Sequence, residues 1–259
     1  VTSAAVLLLL SLALLGGYVV HARGVAHPLL RLELFRVRTF RVSVIGGFVT
    51  RLGIGGLPFL LPLLYQLGLG LPPWQSGLLM MPTAAAAMGM KLMATRILRR
   101  FGYRRVLIVN TVLIGLTICL YTQVGQGTPV AAIVAISLIL GFFNSLQFSS
   151  MNSMAFADVE GPDSSMASTI ASSMQQLALS FGLACASLIA GWYLGDLPQT
   201  DKALVTDALH LAFLTLGVAT IVSSAAFWTL RPRDGESVSK GAPPAEKEAQ
   251  ADSLASGGE

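Results

Sequence analysis

Apolar positions in this chain fall in long blocks, and short gaps between the blocks hold nearly all the charge. The blocks cover residues 2–20, 42–67, 74–95, 106–123, 129–151, 167–194 and 205–230. A bilayer's hydrocarbon core is about 30 Å thick, so a helix needs roughly 20 mostly apolar residues to cross it. Backbone groups in lipid have no water to bond, so each block is expected to be helical. The ten-residue alternation of a membrane β-barrel strand is missing from all of them. The pattern predicts an all-α integral membrane protein of about seven transmembrane helices, six of them forming one bundle over residues 42–230.

The gaps carry the orientation signal. One set holds Arg23, Arg31, Arg36, Arg38, Arg41, Arg96, Arg99, Arg100, Arg104, Arg105, Arg231 and Arg233, while the opposite set holds only Lys202. Lys and Arg accumulate on the cytoplasmic side of membrane proteins, so the C-terminus is expected in the cytoplasm and residue 1 outside. Within the gap at 21–41, the stretch HPLLRLELFRVRTFR mixes Leu and Phe with basic residues, as an amphipathic segment at the cytoplasmic interface does. Residues 231–259 are rich in Gly, Ser, Pro, Ala, Glu and Lys, a composition expected to stay disordered. The chain opens at Val1 inside an apolar run, with neither the basic region nor the cleavage site of a signal peptide. It reads as a segment of a longer protein with more helices upstream.

Composition agrees with a bilayer setting: 54% hydrophobic, 12% charged and a mean hydropathy of +0.70. A soluble domain carries about 25% charged residues. The net charge of +4 sits in the gaps, which is a membrane pattern and not that of a nucleic-acid binder. Cys119 and Cys185 fall mid-block in different spans and read as small hydrophobes. No ligand spacing suggests a metal, no phosphate-binding GxxxxGK[ST] loop is present, and no cofactor is implied. Without a nucleophile–base pair or metal set, an embedded enzyme is not expected.

Charges inside a membrane are costly and default to functional hypotheses. Two lie well within blocks, Arg51 and Lys91. Arg51 shares a helical face with Gly47, Gly55, Pro58 and Pro62, which suggests close packing and a bend around a cation that faces a neighbouring helix or a wet cavity. Lys91 is near enough to a block end to extend its ammonium to the interface. The thirteen acidic residues lie in gaps, near helix ends or in the tail, so a proton-carrying carboxylate deep in these helices is not expected. His210 reads as an interfacial anchor. Neutral polar residues complete the candidate substrate pathway: Asn144 and Gln147 on one face with Met151, and Gln175 on another with Ser168, Ser172, Leu179 and Gly182. Each could equally bond between helices. A lining of Met, Phe and amides suits bulky amphipathic compounds.

The junctions between blocks carry a resemblance. Residues 51–82, RLGIGGLPFLLPLLYQLGLGLPPWQSGLLMMP, resemble the start of the C-terminal bundle in the major facilitator superfamily, more narrowly its fourteen-helix drug:proton antiporter branch. PLLRLELFRVRTFR at 28–41 is similar to that branch's linker into the bundle, and FFNSLQFSSMNSMAFADV with ASTIASSMQQLALSFGLA, within 142–184, matches it as well. ATRILRRFGYRRVL at 94–107 resembles the C-terminal copy of the superfamily's loop motif, here Arg99, Arg100, Gly102, Arg104 and Arg105 without the motif's Asp. Gly102 permits a left-handed turn. The arginines hold the loop in the cytoplasm, and they can also pair with Asp158, Glu160 and Asp163 of the next cytoplasmic gap in one conformation.

The resemblance implies residues 1–20 as a preceding transmembrane helix, 21–41 as a linker, and 42–230 as the C-terminal bundle of a secondary transporter in a bacterial inner membrane. It further implies proton-coupled efflux of drugs or amphipathic molecules, with an N-terminal bundle supplying the embedded acid. The partners are then that bundle, lipid, a small-molecule substrate and protons, and no nucleic acid. An exporter of one metabolite or siderophore, or a non-transporting membrane scaffold, is the alternative. Orientation can be tested with single cysteines in a background lacking Cys119 and Cys185. In intact cells an impermeant maleimide should label the 70–73 loop and spare the 99–105 loop; the reverse pattern inverts the topology.

Overall fold

The computed structural model describes residues 16–17, 32–157, 164–195 and 201–230. The block at 2–20 (residues 16–17 apart), most of the linker, the acidic stretch at 158–163 and the tail lie outside the described residues. Within them are six helices long and apolar enough to cross a membrane. The first span, Arg38–Gly68, comprises α1 (Arg38–Ile54), α2 (Leu57–Leu63) and a π-helical turn at Leu64–Gly68. It is followed by α3 (Pro73–Phe101), α4 (Tyr103–Leu120), α5 (Val130–Ala155), α6 (Ser164–Leu194) and α7 (Lys202–Ser223), which tightens into a 3-10 turn at Ser224–Thr229. Among the described residues there is no strand.

The helices overrun their apolar blocks. An apolar block measures hydrocarbon thickness, and a helix need not stop where lipid does. α3 continues through Arg96, Arg99 and Arg100 to Phe101; arginine is a good helix former, and cations in the last turn complement the helix dipole. α1 begins at Arg38, inside the stretch assigned to the linker, preceded by a single 3-10 turn at Leu32–Arg36.

Helix starts follow local chemistry. Pro73 opens α3 in the first turn, where its missing N–H costs nothing. The Asp201 carboxylate accepts from the amides of Ala203 and Leu204 at 3.1 and 3.4 Å and caps α7. Gly102 joins α3 directly to α4 at φ +75°, a conformation that side-chain-bearing residues rarely adopt. Beside it Arg100 is exposed and Tyr103 buried, so Arg100 is the position for a labelling cysteine in that loop.

The first span is broken at its middle. α1 ends at Ile54, Gly55 and Gly56 make the turn, and α2 restarts with Pro58 in its first turn. Pro62 inside α2 donates no backbone bond, and the π turn follows directly. The break sits where the backbones of three helices meet. A Cβ on Gly182 of α6 would lie 2.8 Å from the Arg51 carbonyl oxygen, 2.9 Å from that of Leu52 and 3.0 Å from Gly55 Cα. A Cβ on Gly56 would strike Ala186 of α6 and Leu216 of α7. The same device brings α4 against α7, where Gly115 and Gly217 face each other's carbonyl oxygens.

α1 thus packs on α5, α6 and α7, while α3 lies chiefly against α5 and α4 against α7. Toward the Gly70 end the core holds Leu60, Leu64, Tyr65, Ile118 and Leu209, with Tyr121 and Phe213 stacked at 5.4 Å between centroids. Toward the Gly102 end it holds Met90, Leu98, Leu107, Met154 and Phe227. α3 and α6 are the least buried spans, with Leu92 81% and Trp192 85% exposed.

Backbone cannot yield to a new side chain as a flexible one can. Gly182→Val is therefore expected to destabilise the bundle by about 1–3 kcal/mol. Gly191 on the same helix has open space around it, so Gly191→Val should leave the thermal midpoint of the detergent-solubilised chain unchanged. Equal midpoints for both variants would refute the packing argument.

Candidate functional site around Arg51

Arg51 lies thirteen residues after Arg38 and seventeen before Gly68 in the first span. At 1.5 Å per residue that is roughly 20 and 25 Å from the ends, close to the middle. Its side chain folds back along α1 over Gly47, where a Cβ would come within 2.6 Å of Nη1. Nη1 points at the Met151 sulfur of α5 at 3.6 Å, and the guanidinium carbon lies 5.4 Å from the Phe148 ring centroid. Two turns back on the same face, the Ser43 hydroxyl donates to the Met151 carbonyl oxygen. Ser43, Gly47 and Arg51 therefore all meet Met151 of α5.

A small cavity, with about 20 Å³ of room for water-sized groups, opens here between α1, α5 and α6. Arg51, Gln175, Asn152 and Ser43 supply its polar lining, and Phe48 and Met174 are among its apolar walls. Two of the four pathway candidates thus meet, Arg51 and Gln175. Asn144 is half-buried on α5 and does not line the cavity. Gln147 is 2% exposed and turns toward α4: its Oε1 accepts from Asn110 Nδ2 at 2.8 Å, and its Nε2 donates to Thr111 Oγ1 at 2.7 Å. Asn110 also donates to the Phe143 carbonyl oxygen at 2.8 Å, leaving its own Oδ1 buried without a partner. This is an interhelical tie of the kind membrane bundles use.

Sequence reasoning missed Asn110, although a mid-span amide in an otherwise apolar block was a visible signal. It also missed Phe148 and Asn152, which lie one turn before Met151 and one residue after it. Lys91 is exposed on α3. His210 sits at its expected end of α7, where Nε2 is 2.9 Å from the Val124 carbonyl oxygen and fastens the helix to the loop after α4. In the basic loop, Arg104 Nη2 donates weakly to the Trp228 carbonyl oxygen at 3.5 Å, and Arg100 lies over Phe101. Arg99 and Arg105 are exposed, and Asp158, Glu160 and Asp163 lie outside the described residues.

Six apolar spans, three of them around a polar, cation-bearing cavity, define a multi-pass membrane bundle. The family model described as the Major Facilitator Superfamily matches residues 1–183 and again 43–255, and the chain belongs to that family. Among its curated relatives is the putative multidrug resistance protein MdtD of Pectobacterium atrosepticum, 36% identical over 216 residues, 83% of this chain and 46% of that protein. MdtD of Klebsiella pneumoniae is 36% identical over 84% of the chain and 46% of its own length. MdtD of Serratia proteamaculans is 31% identical over 87% and 47%. The chain spans about half the length of the curated relatives it matches.

The two glutamines should separate structure from pathway. Gln147→Ala strands buried partners on α4 and is expected to cost about 1–3 kcal/mol, read as a lower thermal midpoint and folded yield. Gln175→Ala, at the cavity, should leave both unchanged; a matching loss at Gln175 would make it a structural tie instead.

Proposed function

We propose that this chain supplies the C-terminal bundle of a proton-coupled efflux transporter for hydrophobic or amphipathic compounds. The observation that carries the reading is the similarity to proteins named for multidrug resistance that are about twice as long. A second bundle, lying against the sparsely buried faces of α3 and α6, completes the transporter. Substrate then sits near the midplane between the bundles, and one bundle rocks against the other to alternate access. Arg51 and Gln175 line this bundle's share of that path.

The protonatable carboxylate belongs to the other bundle, because no Asp or Glu of this chain falls deep in an apolar block. The broken first span supports the same reading. Interrupted helices at membrane depth are tolerated where protein or a wet cavity satisfies the freed backbone, and they recur at transport sites. The protein resides in the bacterial inner membrane with Arg99–Arg105 and the C-terminus in the cytoplasm, following the arginine asymmetry.

Liposomes with an imposed pH gradient test the proposal, with ethidium as the probe. The complete two-bundle transporter should move ethidium against proton flow, and a protonophore should abolish the movement. This chain alone should move none, since a path between bundles needs both. Ethidium-dependent proton flux from the chain alone would overturn the two-bundle reading.

A further inference from the structure

Arg51 carries a full charge at mid-membrane, and its contacts among the described residues are a thioether and an aromatic ring. A thioether is a weak acceptor, and a guanidinium offers five N–H donors in a planar fork. A structural arginine at this depth would spend those donors on carbonyl oxygens or a carboxylate, yet neither contacts this one among the described residues. The nearby Ser43 hydroxyl donates to the Met151 carbonyl oxygen, and no hydrogen bond joins it to the guanidinium. The surroundings instead fix the guanidinium in place. Gly47 leaves room beneath it, Met151 stops it on one side, and the Phe148 face attracts it on another.

Gln175 and Asn152 add neutral amide donors to the same cavity, and among the described residues no carboxylate lines it. Every charged or amide group there can therefore donate to an anion. Phe148 is 44% exposed and offers a flat apolar surface at the side of the cation. We infer that the Arg51 cavity is a subsite for the oxyanion headgroup, carboxylate or sulfonate, of an aromatic amphiphile whose ring system lies over Phe148. The inference rests on the transporter reading above and deepens it: the Arg51 subsite adds affinity for anionic or zwitterionic compounds, while lipophilic cations such as ethidium are carried without its help.

Three probes with one aromatic body test the headgroup alone: 2-naphthoate, 2-naphthalenemethanol and 2-naphthylmethylammonium. Binding to the chain in phosphatidylcholine nanodiscs is measured by calorimetry, with empty nanodiscs subtracted. Naphthoate should bind most tightly, and Arg51→Met should weaken it by about tenfold or more, as loss of a charge-assisted pair does, bringing it to the level of the alcohol. Arg51→Lys, which keeps the charge without the fork, should retain part of the preference. If Arg51→Met does not fold, Gly47→Ala decides. Its methyl displaces the flexible end of Arg51 and presses on the Met151 sulfur, also the end of a flexible side chain, and it should lower naphthoate affinity about threefold or more by misplacing the charge.

Equal binding of the three probes, tighter binding of the ammonium, or indifference of naphthoate to both variants would overturn the inference. Loss of naphthoate binding on adding phosphatidylglycerol to the discs would reassign the subsite to an anionic lipid headgroup and likewise overturn it. The same probes given to the complete transporter under a proton gradient keep the two readings apart. Transport without the naphthoate preference defeats only the inference, and naphthoate binding without any transport defeats only the transporter reading.

Discussion

Direct contact between the backbones of α1 and α6 at Gly55 and Gly182 sets the rest of this bundle. Lipid tails are as apolar as leucine, so spans gain little from hiding hydrophobic surface and associate through close packing. A glycine on each helix lets the carbonyls of Arg51 and Leu52 come against α6 without an intervening side chain. Gly56 extends that seam to Ala186, and through Leu216 to α7. Once α1 is fixed centrally, α5, α6 and α7 take their places around it, and α3 and α4 pack on the outside of α5 and α7.

The same contact explains why the first span breaks where it does. Two adjacent glycines and a following proline weaken the helix at Gly55–Pro58, and α6 and α7 crowd the site too closely for any bulkier residue. Arg51 stands one turn before the break, with its carbonyl oxygen bonded to the Gly55 amide at 2.7 Å. Its backbone therefore belongs to the packing seam with α6, while its side chain belongs to the cavity shared with α5. Packing at the break and the chemistry of the site thus meet in one residue.

Polar residues divide by what faces them. Gln147, Asn110 and Thr111 bond one another between α4 and α5 in a dry setting, and such groups hold helices at one register. Arg51, Gln175 and Asn152 face a cavity with donors unspent. By residue type Gln147 and Gln175 are the same, and only their neighbours separate a structural amide from a lining one.

Six of the predicted spans, their helical state and the glycine turn at Gly102 were legible in the sequence, because each depends on local properties. Apolar length matches bilayer thickness, backbone groups in lipid must bond internally, and a left-handed turn calls for glycine. The family was legible too, from the order of motifs along the chain. Which helices touch was not, since it depends on pairing small residues such as Gly182 with Gly55 or Gly115 with Gly217 across more than a hundred positions. Nor did the sequence separate Gln147 from Gln175, or bring Phe148 and Met151 to the guanidinium of Arg51. The spacing of residues along one helix fixes the face they share, and tertiary packing alone decides what that face meets.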